Sequence, residues 1–157
     1  MNLDFIIDTE KKSKKPAYRK PDSLKELERI HFEAKQAKHP DVPYLVRTKF
    51  RDDTANGLTK CITAWLSLHG HFAGRVNTQG NYNAKLGKYI KSGSRKGMAD
   101  ITAVVNGRHI SVEVKIGKDR IRPDQLKVKQ EIESAGGAYI IASSFDNFLE
   151  QIKQIAK

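Results

Sequence analysis

A single cysteine, Cys61, has no partner within the chain, so an internal disulfide framework is excluded and the fold must rest on an apolar core. No apolar run reaches the length of a membrane span, and the first residues lack the basic-then-apolar order of a secretory signal. The expectation is an intracellular, cytoplasmic protein, with the host cytoplasm of a phage or mobile element as a fitting setting. Chemistry is thinned out in the same way. No Ser-His-Asp grouping and no phosphate-cradling glycine loop stand out, and Cys61, His69 and His71 are not spaced as a zinc site. What the chain does have is positive charge. Its 157 residues carry 29 Lys and Arg against 18 Asp and Glu, a formal net charge of +11, while 38% hydrophobic content suffices for one modest core. Such an excess favours a polyanionic partner, nucleic acid first, over charge that merely keeps the protein soluble.

Residues 1–21, with "KKSKKPAYRK", hold too little apolar content for a core and read as a flexible basic arm. Ser23 and Glu26 form a capping box ahead of Leu24, Leu27, Ile30 and Ala34, which predicts a helix ending at His39-Pro40. With the proline-containing stretch that follows, 22–43 reads as an accessory helix and linker, and the main domain as 44–157. Within that domain a helix opens at Asp53 or Thr54, with Leu58, Cys61, Ile62, Trp65, Leu66 and His69 on one face. "FAGRV" is a strand. Residues 77–97 combine glycine, polar residues and five lysines or arginines, and read as a mobile basic loop. "RPDQLKVKQEIESAGG" predicts a helix with Pro123 at its first position and Leu126, Val128, Ile132 and Ala135 inward. "AYIIA" is a buried strand, and Ser144 caps a last helix carrying Phe145, Phe148, Leu149, Ile152 and Ile155. The order suits an α/β domain with a mixed sheet flanked by helices.

The most informative stretch is "MADITAVVNGRHISVEVK", residues 98–115. Asn106-Gly107 between two alternating runs is a strong signal for a two-residue hairpin, because both central positions need positive φ. Pairing outward from Val105 with Arg108 sets Asp100 opposite Glu113. Alternation then sends Ile101, Ala103, Ile110 and Val112 to the buried face, and Asp100, Glu113 and Lys115 out on the other. Opposed like charges repel, so something positive belongs between them. Lys115 supplies one charge. Two converging carboxylates also suit a hard divalent cation such as Mg²⁺, whose preferred ligands are oxygens.

"GMAD" at 97–100 and "EVK" at 113–115, followed by "PDQ" and "GGAYIIA", resemble the PD-(D/E)xK nuclease superfamily and within it the VRR-NUC domain, over about residues 53–145. The resemblance implies a restriction-endonuclease-like core. It also implies a DNA endonuclease in which Asp100, Glu113 and the Val114 carbonyl hold Mg²⁺ or Mn²⁺, Lys115 orients the attacking water, and Gln125 stands beside the active site. Family members usually add a glutamate from the first helix. "DDTANGLTK" offers none, leaving Asp53 as the substitute ligand. Single VRR-NUC domains resemble junction-binding dimers, which implies branched, flapped or Holliday-junction DNA and a possible homodimer. The rival expectation is a DNA-junction-binding module that keeps the fold without catalysis.

Arg95 and Lys96, close to Asp100, are candidates to grip phosphates, with Lys88, Lys91 and Arg75 as further nucleic-acid contacts. Tyr82 and Tyr89 interleave with lysines, and two readings stay open for them: stacking on unpaired bases, or packing within the loop. Trp65 and His109 read as structural.

Overall fold

In the computed structural model, residues 17–77, 80–90 and 93–155 are described. They form α1 (Asp22–Lys38), α2 (Ala55–Leu68), β1 (Phe72–Arg75), β2 (Asn81–Asn83), β3 (Lys88–Ile90), β4 (Ile101–Val105), β5 (Arg108–Val114), α3 (Pro123–Ser134), β6 (Ala138–Ala142) and α4 (Phe145–Ile155). Asn106 and Gly107 sit at φ 50° and 78°, the geometry of the tight turn, and β4 pairs with β5 from Val105↔Arg108 to Ile101↔Val112. The register is the one the alternation predicts. β1 adds to β4 antiparallel, while β6 joins β5 in parallel after α3, giving one mixed sheet in the order β1-β4-β5-β6. A parallel pair needs such a crossover. The fold is therefore mixed α/β, with helices on the sheet's two faces.

One face carries Ile101, Ala103, Ile110, Val112 and Ile140 into a core shared with α2 and α4. The other is closed by α3, where Ala99, Val128 and Tyr139 cluster with Met98, Ile121 and Ile132. This second cover changes the setting of the acids. Asp100 is half-buried, Glu113 is 3% exposed and Lys115 is buried beside it.

α1 is not an accessory. Leu24 and Leu27 are fully enclosed in the main core, and α1 packs on both α2 and α4, so the domain includes it and does not start at 44. The expected capping box is absent. Pro21, at φ −68° and ψ 157°, precedes the helix, Asp22 opens it, and the Ser23 hydroxyl is buried without a partner. Proline already supplies the extended backbone from which a helix can start, which shifts the start ahead of Ser23.

Of the basic arm, residues 1–16 lie outside the described residues. The remainder is tied down: the Tyr18 hydroxyl donates to Asp52 Oδ1 at 2.8 Å, and Lys20 pairs with Glu28. Asp52 is a structural tie, since its Oδ2 also accepts from the Phe145 backbone N–H at 3.0 Å and so caps α4. Ser144 Oγ accepts from Asn147 N, the cap expected from the sequence.

The segment read as a loop contains the β2–β3 hairpin, with Tyr82 directly opposite Tyr89. Near its base the Ser94 hydroxyl donates to the Asn77 carbonyl at 2.8 Å. α3 is rotated from the expected face: Gln125 and Val128 are buried, whereas Leu126 is 43% exposed and Ala135 is exposed.

Among the described residues no helix is long and apolar enough to cross a membrane.

Candidate active site

The site lies where β4 begins and β5 ends, beside the first turn of α3. Asp100 precedes β4; its carbonyl accepts from Val76 N at 2.8 Å, and its side-chain Oδ2 accepts from Val114 N at 2.9 Å. The chain leaving β1 and the end of β5 are thus both tied to this one aspartate. Glu113 is the next-to-last residue of β5. Its Oε1 accepts from Gln125 Nε2 at 2.6 Å and meets Lys115 Nζ at 3.0 Å. Gln125 Oε1 in turn accepts from the Arg122 backbone N–H at 3.0 Å, so the amide is held at both ends. Pro123 at the first helical position sets this turn up, because it leaves Arg122 as the cap residue whose N–H the amide can reach.

The second oxygen of Glu113, Oε2, is buried with no hydrogen-bond partner, and the Tyr139 hydroxyl nearby is in the same condition. Buried polar atoms are ordinarily satisfied, and the Tyr139 phenol, which interacts with the Glu113 side chain, is the polar group the fold sets near this carboxylate. Burial pushes the Glu113 carboxyl above its ordinary 4.5, and the charge of Asp100 adds to this, against the opposing pull of Lys115 and Gln125. Burial also raises the Tyr139 phenol, with Glu113 and Asp100 adding to the effect. A buried carboxylate with the charge of Asp100 beside it and one oxygen lacking a hydrogen-bond partner suits a divalent cation.

Asp100, Glu113, Val114 and Lys115 line a single open cleft of about 550 Å³. Arg95 and Lys96 stand in its wall, as expected, each held by an acid of α3: Arg95 by Glu131 and Lys96 by Asp124, at 2.6 and 2.7 Å. Both pairs are exposed, so a phosphate can displace the acids at little cost. Gly97 keeps this wall close to α3. It sits at φ +85°, and a Cβ there would come within 2.5 Å of the Asp124 carbonyl.

Not all the expected residues converge. Asp53 is exposed, engaged by Arg51 at 3.1 Å, and is not part of the cleft wall. Arg75 is exposed at the end of β1 and donates to Asn56 Oδ1 at 2.7 Å. Lys88 is on the hairpin, next to Tyr89, which does line the cleft, while Lys91 lies outside the described residues. Among the described residues no group of three or more His, Cys, Asp or Glu side chains forms a metal cluster. Sequence reasoning missed Asp119, which meets Lys115 Nζ at 3.3 Å, and Arg122, both in the cleft wall, as well as Tyr139. The spacing Lys115 to Asp119 was the available sign of the first; nothing in the sequence marks Tyr139 among other buried strand residues. No protein-family model and no curated protein matches the chain.

Proposed function

We propose that the chain is a metal-dependent DNA endonuclease of the PD-(D/E)xK type, VRR-NUC-like, with a restriction-endonuclease-like core, acting inside the cell. One observation carries the reading. Asp100, Glu113 and Lys115 converge on a single basic-walled cleft, with Gln125 buttressing a glutamate whose second oxygen is buried and unpartnered.

Asp100 and Glu113, with the Val114 carbonyl, would hold Mg²⁺ or Mn²⁺. The ion, when bound, supplies Lewis-acid polarisation of the phosphate and acidifies water. Lys115, fixed between Glu113 and Asp119, positions the attacking water and opposes the negative charge that grows on the phosphoryl oxygens. Gln125 fixes the Glu113 carboxylate through Oε1 and leaves Oε2 for the cation. Arg95 and Lys96 exchange their α3 acids for substrate phosphates. Hydrolysis forms a bond from water oxygen to phosphorus and breaks one ester P–O bond, the water's proton ending on solvent and the leaving oxygen taking one up.

The test is cleavage of labelled linear, flapped and four-way-junction DNA with Mg²⁺, Mn²⁺ or EDTA, comparing the unsubstituted protein with Glu113→Ala and Lys115→Ala. Cutting should need metal and fall by at least about a hundredfold in each variant, while salt-sensitive binding persists. Metal-dependent cutting that survives both substitutions would remove these residues from the mechanism.

A second reading has its own support. With Asp53 engaged by Arg51 outside the cleft and Asp119 turned to Lys115, no group of three acids forms a metal cluster among the described residues, which suits a DNA-junction-binding module without catalysis. Tight junction binding with no cutting under any metal decides for it.

A further inference from the structure

The β2–β3 hairpin displays side chains that the fold does not use. Tyr82 and Tyr89 are directly opposite each other in its register, so both rings leave the same face, and they are 67% and 61% exposed. Leu86 and Ile90 are exposed as well. Two three-residue strands with no buried face gain almost nothing from these rings in the way of a core. Tyr89 nevertheless has a fixed place. Its hydroxyl donates to the Gly80 carbonyl at 2.8 Å, and the residue forms part of the cleft wall with Arg95, Lys96 and the acids.

The chain segment that carries the pair has charged side chains of one sign. From Asp53 to Asp100 the chain has no intervening Asp or Glu, yet it places Lys85 and Lys88 on the hairpin and Arg95 and Lys96 between hairpin and acids. Exposed aromatic faces beside a cationic path are the two components of a surface that binds unpaired nucleic acid: phosphates follow the charge, and bases stack on the rings whatever their identity. A protein partner would meet this face with acids alone and would give the side-by-side rings no special role.

We propose that Tyr82 and Tyr89 form a stacking platform for unpaired bases of a DNA strand whose phosphates run past Lys88, Arg95 and Lys96 toward Asp100 and Glu113. A closed duplex keeps its base faces stacked internally and cannot use the platform. The platform therefore selects DNA with unpaired nucleotides next to the bond to be cut, as in a flap, a fork or an open junction centre. The link to cutting rests on the nuclease reading; the binding itself does not.

The experiment uses the full chain in EDTA, so that nothing is cut, with oligothymidylate carrying one 2-aminopurine, whose fluorescence falls when the base is stacked. Tyr82→Val with Tyr89→Val keeps strand-forming residues and removes the rings; the double Phe replacement keeps the rings and removes the hydroxyls. The unsubstituted protein and the Phe form should bind and quench, while the Val form loses quenching and at least about tenfold in affinity. Tyr82→Val alone, which leaves the Tyr89–Gly80 tie in place, should lose about tenfold. Equal affinity and quenching in the Val forms would overturn the proposal, as would failure of the Phe form alongside the Val form. Cleavage of the same strand in Mg²⁺ is scored separately: no cutting by the unsubstituted protein refutes the nuclease reading and leaves the platform standing.

Discussion

Burial acts on charge at Glu113 and at His31 with different results. At Glu113 the raised carboxyl is answered by Lys115 and Gln125 and, in the proposed mechanism, by a cation. At His31 no acid answers. Its ring packs edge-on to Phe50 at 5.3 Å, Nδ1 is buried without a partner, and its pKa is held below 6.5 by burial and by the charges of Lys35, Lys60 and Lys38. The unfolded chain therefore takes up this proton more readily than the folded one. Stability from His31 is fully present above pH 6.5 and is lost as pH falls through the lowered folded value. Urea midpoints at pH 7.5 and 5 should show a smaller acid loss in His31→Gln than in the unsubstituted protein. Legibility at this scale followed the backbone. The pairing of β4 with β5 was readable because a two-residue turn fixes the register of everything beyond it. The roles of Asp52 and Tyr139 were not, because each depends on a partner distant in the chain: Tyr18 and Phe145 for one, the acids of the hairpin for the other.

Element by element, the sequence was read well where local chemistry decides and poorly where packing does. Thr54 caps α2 by accepting from Gly57 N, Pro123 opens α3, and both follow from residue type. The face α3 turns inward does not. Apolar periodicity favoured Leu126, but the first turn must reach the polar end of β5, and Gln125 is the residue that can satisfy Glu113 there. The standing of α1 was misjudged for a related reason, since an amphipathic stripe says that a helix packs without saying on what. Because Leu27 is enclosed against the shared core, Leu27→Ala should cost about 2–5 kcal/mol of unfolding free energy, read as a lower urea midpoint for the whole domain in one transition. A truly accessory helix would instead leave that midpoint unchanged.

For the whole molecule, net charge matters less than its arrangement. The segment without acids between Asp53 and Asp100 brings Arg95 and Lys96 to the cleft that Asp100 and Glu113 also line. On the proposed function, binding to DNA should weaken steeply with salt, and Arg95→Ala should reduce the slope of log affinity against log salt by about one, measured by fluorescence anisotropy across a salt series. The Ser94 hydrogen bond to the Asn77 carbonyl bears on how this surface can change. It joins Asn77, just past β1, to Ser94, on the way to Asp100, and so ties the two sides of the β2–β3 excursion together at its root. The excursion is an interchangeable cassette. On the proposed function, drift in its length and side chains would retarget the protein to a differently shaped nucleic acid while the sheet and its acids stay as they are, leaving substrate choice free to diversify faster than chemistry.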